Sequence, residues 1–141
     1  MAGMTGVYRH TLDAKGRLFI PAKLREELGD TFFVTISTER CLTAYSMESW
    51  DRLNEKIREL PRSKQTKMRP LFSHASKCEL DTQGRILLPQ ALRDFAKIEK
   101  NVAVVGAGDT TQLWDEAAWN EVDVLETTPE NLAEVFTELD F

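Results

Sequence analysis

Neither lysine nor arginine occurs between Asp115 and Phe141, although nine acidic residues do. A formal net charge of −5 spread evenly would argue against a polyanionic partner, but here residues 1–114 keep all 18 bases against 14 acids. Charges act over about a Debye length, ~8–10 Å, so a mildly basic body with an acidic tail can present a cationic face. Long apolar runs are also missing. None approaches the roughly 18–20 residues of a spanning helix, and MAGMTGVYRH lacks the apolar core of a signal peptide. A cytoplasmic protein without membrane contact is expected. Cysteine is scarce: Cys41 and Cys78 lie far apart and neither belongs to a CxxC pair. That argues against a zinc or redox motif and leaves two small buried thiols. The two histidines, His10 and His74, have no Cys or Ser constellation around them and read as surface or turn residues. No metal, cofactor, catalytic residue or small-molecule substrate is indicated. What the sequence does hold is 141 residues, 42% of them hydrophobic, enough for one domain with a real core.

Comparing the chain with itself exposes its organisation. LDAKGRLFIPAKLR (Leu12 to Arg25) and LDTQGRILLPQALR (Leu80 to Arg93) agree at seven of fourteen positions. Weaker matches continue through Val34/Val102 and Ile36/Val104, and with one extra residue in the second copy they reach Tyr45/Trp114 and Trp50/Trp119. The protein is a tandem duplication.

Each copy reads as β-β-α-β-β. A short segment (Tyr8 to Leu12; Ser76 to Leu80) leads into Asp-x-x-Gly and an apolar run (Leu18 to Ile20; Ile86 to Leu88), which is a hairpin signal. Asp closes such a turn with its side-chain oxygen, and Gly takes the positive φ. Pro21 and Pro89 suit the first position of a helix, and Gly29 suits its end. Further strands are expected at Thr31 to Ser37, Cys41 to Tyr45, Asn101 to Val105 and Thr111 to Trp114, with GAGD (Gly106 to Asp109) as a turn. Ser46 and Asp115 are good N-caps for helices bearing Trp50 and Trp119. This divides the chain into a first repeat with its helix (1–61), a basic linker (62–75), a second repeat with its helix (76–126) and an acidic C-terminal helix (127–141), the two repeats forming one unit. The last helix carries Leu132, Val135, Phe136 and Leu139 on one face, expected to pack on the Trp119 helix or on a neighbouring subunit.

The repeated D-x-x-G-R has a plain structural reading in which Asp13 pairs with Arg17, and Asp81 with Arg85, to fix a turn. Around the first copy, however, Arg9, Lys15, Arg17, Lys23 and Arg25 stand within seventeen residues against one acid, Asp13. Such a field suits nucleic acid. Cations bind phosphates with counterion release, and an Arg on a two-stranded ribbon can contact guanine O6 and N7 in the major groove. In the second copy Gln83 replaces Lys15 and Ala91 replaces Lys23, so the first copy is expected to touch DNA and the second to act mainly as scaffold. Arg9, Lys15, Arg17, Lys23 and Arg25 are the candidate DNA-binding residues; Asp13, Gly16, Asp81, Gly84 and Arg85 structure the turns.

With HASKCELD between the copies and Leu113-Trp114-Asp115 ahead of Trp119, this doubled motif resembles the MraZ family, bacterial regulators of the division and cell-wall gene cluster. More distantly it resembles the AbrB/MazE/SpoVT swapped-hairpin group. The resemblance implies an α+β, β-rich fold with an AbrB-like swapped-hairpin barrel and flanking helices. It also implies a non-enzymatic, sequence-specific DNA-binding regulator in the nucleoid. Such a regulator would bind double-stranded direct repeats in its own promoter as a ring-shaped homo-oligomer. The family's DxxxR motif falls on Asp13 and Arg17, and again on Asp81 and Arg85. Two other classes are set beside it: an antitoxin-like module binding both DNA and protein, and an enzyme with an Asp13/Asp81 carboxylate dyad.

Overall fold

The computed structural model describes residues 3–141. The first copy runs β1 (Val7–Thr11), β2 (Arg17–Phe19), α1 (Ala22–Leu28), β3 (Thr31–Ile36) and β4 (Leu42–Ser46). Helices α2 (Met47–Arg58), α3 (Arg62–Lys67) and α4 (Arg69–Ser73) connect it to the second. There β5 (Ser76–Glu79), β6 (Arg85–Leu87), α5 (Gln90–Ala96), β7 (Asn101–Gly106) and β8 (Thr111–Asp115) repeat the order, before α6 (Glu116–Glu126) and α7 (Pro129–Phe136). The fold is mixed α+β with a twice-used β-β-α unit.

The copies interlace. An antiparallel six-stranded sheet has the order β1-β7-β8-β4-β3-β5, so each copy's first strand pairs with the other copy's third. Strands β2 and β6 form a separate antiparallel pair centred on Leu18 and Ile86. This corrects the hairpin expected within each copy. The turn after β1 does close, with Asp13 N–H donating to Arg17 O at 3.0 Å, but the flanking strands then part to take partners from the other copy. Alternating polarity says which face of a strand is buried and nothing about which strand lies beside it. The reason for the exchange is packing: Leu18, Ile20, Ile86 and Leu88 are all at most 1% exposed, inside a core shared with Leu24, Phe32, Val34, Leu92, Val102 and Leu113. Burying side chains of this size stabilises by ~1.5–3 kcal/mol each.

Two smaller readings also change. Pro21 and Pro89 are N-caps, not first helical residues; the Pro21 carbonyl accepts from Leu24 and Arg25, and Pro89 does the same for Leu92 and Arg93. The equivalence of Val34 with Val102 is off by two. Phe32 pairs with Cys78 and Ser46, while Val102 pairs with His10 and Asp115, the repeat partners of those two residues. Val102 therefore stands where Phe32 stands, and Val104 where Val34 stands. The second copy has two more residues between helix and strand and one fewer in the next turn. A slip of two preserves strand alternation and leaves no trace in the polarity pattern.

On the outer face of the sheet the copies differ. Ser46 caps α2 by accepting from Ser49 N–H, and Trp50 stacks on Phe33 at 4.7 Å with Tyr45 and Phe72 of α4 around it. Asp115 caps α6 by accepting from Ala118 N–H, and Trp119 lies against Trp114 with Cys41, Ala103 and Val105. Among the described residues, nothing corresponds to α4 on this side. Within the chain the α7 stripe is exposed, Leu132 by 61% and Val135 by 52%, so the packing on α6 expected of it does not occur. Cys41 and Cys78 are buried in separate apolar clusters. Burial pushes the Cys41 thiol up to about 11 and raises that of Cys78 as well, so neither is a poised nucleophile.

Candidate nucleic-acid interface

The two D-x-x-G-R turns share one geometry. Asp13 Oδ1 accepts from the N–H groups of Lys15 and Arg17, both at 2.9 Å, and Oδ2 accepts from Arg17 Nε at 2.6 Å. Asp81 repeats this with Gln83, Arg85 and Arg85 Nε, each at 2.9 Å. Gly16 and Gly84 take φ of 82° and 78°, where a side chain would be strained. The turn-fixing pair is thus real at both sites. Backbone N–H donation from Arg17 is the main cause holding the Asp13 carboxyl down to about 2, and the corresponding bond from Arg85 lowers Asp81.

Pairing of β2 with β6 brings the turns together. Gly16 O accepts from Leu88 N–H and Gly84 O from Ile20 N–H, both at 2.9 Å, so each turn is tied to the strand end of the other copy. The guanidinium of Arg85 also reaches Asp13 Oδ2, at 3.6 Å. Each turn is backed by the other copy's helix. A Cβ built on Gly84 would meet Arg25 Nη1 at 2.7 Å, and one on Gly16 would meet Arg93 Cζ at 3.0 Å.

The candidate residues therefore divide. Lys15 is exposed on the first turn, and Arg17 keeps a third of its side chain exposed beside it. Lys23 is exposed on α1. Arg25 is half-buried over the Phe19 ring, 5.4 Å from its centroid, and stands by the second turn. Arg9 points elsewhere: it donates to Asn120 Oδ1 at 2.7 Å and lies 3.7 Å from Glu116, both on α6. Lys15, Arg17, Arg25, Arg85 and Arg93 surround the paired turns against two carboxylates, Asp13 and Asp81, giving a cationic patch that can take phosphate or a guanine edge.

The family model described as MraZ protein, antitoxin-like, matches the chain twice, over residues 4–69 and 71–136. The chain belongs to the MraZ family. It is 46% identical over 118 residues to a transcriptional regulator MraZ of Carboxydothermus hydrogenoformans, covering 82% of each chain. Proteins of the same name from Natranaerobius thermophilus and Ligilactobacillus salivarius are each 42% identical over 139 residues, 96% of this chain and 97% of theirs. MraZ proteins are regulators of transcription and not enzymes. The local chemistry agrees, because a proton-sharing dyad needs a raised carboxyl whereas both Asp13 and Asp81 are lowered. No helix among the described residues is long and apolar enough to cross a membrane.

Arg93 was missed as a site residue from the sequence. Its signal was present: Leu24-Arg25 and Leu92-Arg93 are identical in the two copies. Arg93 Nε donates to Leu88 O at 2.9 Å, which anchors the side chain beside Gly16.

Proposed function

We propose that this MraZ-family regulator binds double-stranded DNA through the paired turns, with Lys15 and Arg17 making the leading contacts and Lys23 an outer phosphate contact. The observation that carries this reading is the cluster of five cations about two adjacent turns whose only carboxylates are already neutralised by arginine. Arg25 and Arg93 support the turns from behind, Arg85 bridges Asp13 and Asp81, and Arg9 has a structural role. The exchange of strands between copies supports a swapped-hairpin barrel of the AbrB type, with 1–61 and 76–126 as halves of one unit. The same reading takes the protein as cytoplasmic and nucleoid-associated, acting as a ring-shaped homo-oligomer on direct repeats in its own promoter.

One turn pair makes few contacts, so affinity must come from several copies acting together, worth ~10²–10⁴ in effective concentration when spacing fits. A mobility-shift assay on DNA upstream of the gene, against the same DNA with scrambled repeats, tests the reading. Binding restricted to the intact repeats, and lost when half a helical turn is inserted between them, is the expected result. Equal affinity for intact, scrambled and respaced DNA would refute it. The exposed α7 stripe favours a second reading, an antitoxin-like module that also binds a protein; its signature is a partner that releases DNA when α7 is occupied.

A further inference from the structure

The β2–β6 pair has two faces. Leu18 and Ile86, opposed across it, point into the core, so by strand alternation Arg17, Phe19, Arg85 and Leu87 point away from it. Register sets these four in a square, with Leu87 opposite Arg17 and Arg85 opposite Phe19. The two apolar members fare differently. Phe19 is partly buried, with the His10 ring 5.1 Å away and the Arg25 guanidinium 5.4 Å from its centroid. Leu87, its repeat equivalent, is 59% exposed. Small, buried Cys78 stands where the first copy has His10, and Arg93, the counterpart of Arg25, is tied by its Nε to Leu88 O. A lone exposed leucine is ordinary on a protein surface. This one lies inside the cationic patch: across from it is Arg17, held by Asp13, and two residues before it is Arg85, held by Asp81 and Asp13.

We propose that Leu87 reads DNA sequence by setting its isobutyl group against the C5-methyl group of a thymine in the major groove, close to the base that Arg17 contacts. This rests on the DNA reading above and adds an apolar, sequence-determining contact to it. A two-stranded ribbon fits the major groove, and the thymine methyl is the apolar group that base pairs present there. Directly opposed side chains have Cβ atoms about 4.5–5.5 Å apart, or one to two base-pair steps of ~3.4 Å, so the thymine lies within two steps of the base under Arg17. Leucine gains nothing from a phosphate. Its contribution is therefore to preference among sequences and not to salt dependence. Cytosine at the same place offers an amino donor that leucine leaves unpaired, so a C·G pair there is disfavoured beyond the loss of the methyl.

The test replaces each thymine position of the repeats in turn by uracil, which lacks only the C5-methyl group, and follows binding of the full chain by fluorescence anisotropy. The unchanged chain is expected to lose about fourfold in affinity, or more where several repeats are engaged, at one thymine position, the worth of one buried methyl group. Leu87→Ala is expected to bind the thymine repeats more weakly by at least that factor, to be indifferent to uracil at that position, and to keep its slope of log K against log salt. Lys15→Gln is expected to keep the uracil penalty and lose slope. Circular dichroism and sedimentation check that the variants fold and assemble as the unchanged chain does. If alanine loosens the short strand, Leu87→Gln, of similar length with a polar end, serves in its place. A uracil penalty that survives in the Leu87 variants, an affinity that does not respond to them, or repeats in which no thymine methyl matters would each overturn the proposal. So would loss of assembly in both variants, which would set Leu87 between copies of the chain. Repeats bound specifically but without the methyl dependence overturn the role of Leu87 alone; repeats not bound at all overturn the DNA reading with it.

Discussion

The first and second turns have nearly the same backbone and different company. Both hold an Asp through two N–H groups and an Arg Nε, and both pass through a positive-φ glycine. Yet Arg17 is held by one carboxylate, whereas Arg85 is held by two, Asp81 at 2.9 Å and Asp13 at 3.6 Å, and is the less exposed. Lys15 stands where the second turn has an uncharged Gln83. Interlacing then softens the contrast, since Arg93 from the poorer copy backs the first turn and Arg25 from the richer copy backs the second. Charge counted along the chain overstates the division of labour. At the turns the two sites differ by one lysine and by how tightly one guanidinium is held.

The largest expected effect follows from that last difference. Arg17→Ala should weaken binding to a specific site by ~1–3 kcal/mol, the range of a bidentate base contact. Arg85→Ala should weaken it clearly less, acting through the position of Asp13. Titrations by fluorescence anisotropy on folded variants decide between them. Equal losses would mean that both turns read DNA alike and would dissolve the comparison.

Stability should not distinguish the turns so sharply. Gly16→Ala and Gly84→Ala each force a side chain into positive φ, at about 1–2 kcal/mol, measurable by urea unfolding. Gly84→Ala should be the worse, because its Cβ approaches Arg25 Nη1 more closely than a Cβ on Gly16 approaches Arg93. Acid probes the same turns through their carboxylates. Both folded-state values lie below the ordinary 3.8, so each stabilises the fold above that pH. For Asp13 the contribution fades as the pH falls towards about 2. An NMR titration should find the Asp13 carboxyl held down to about 2, chiefly by the backbone N–H of Arg17, and the Asp81 carboxyl lowered by the matching bond from Arg85. Asp13→Asn, which removes the charge at every pH, should flatten that part of the acid-unfolding curve.

Much of this was legible in the sequence because local chemistry determined it. Asp13, Gly16 and Arg17 announce a turn, and Ser46 and Asp115 announce helix starts, from side chains acting within four residues. What was not legible was long-range. No local signal distinguishes a strand that pairs with its neighbour from one that pairs with the same strand of the other copy, so β1 with β2 was expected where β1 with β7 and β2 with β6 occur. The same exchange moved Arg25 to the second turn and brought Arg93 to the first, and packing beside α6 took Arg9 out of the cationic cluster. The register of β7 was hidden because two inserted residues leave its alternation intact.

Lys15 offers a finer probe than the arginines. Lys15→Gln should leave preference among sequences unchanged and reduce the slope of log K against log salt by ~0.9 for each phosphate the protein no longer neutralises, and Gln83→Lys should increase it by a similar amount if the second turn also lies against the duplex. A slope unmoved by Gln83→Lys would place that turn away from phosphate, which sharpens the contrast between the copies.

The smallest effect concerns how the two equivalent helices end. The first stops with Gly29 at φ 83°, whose N–H donates to Arg25 O at 2.9 Å. The second stops with Lys97 at φ 54° and ψ 37°; its N–H donates to Asp94 O, and the next N–H, of buried Ile98, reaches back to Arg93 O. That is the two-bond left-handed helix end, with Ile98 as its apolar anchor. It also accounts for the two added residues before β7. Lysine is a poor occupant of this position, since a Cβ in the left-handed region costs about 1–2 kcal/mol. Lys97→Gly relieves that strain while adding freedom to the unfolded chain worth ~0.4–1 kcal/mol in the opposite direction. The balance is a stabilisation of about 0.5–1 kcal/mol, read as a higher urea midpoint at unchanged slope. Loss of stability would instead show that the aliphatic stem of Lys97 holds the helix end down, and that the second copy compensates for its missing glycine by packing.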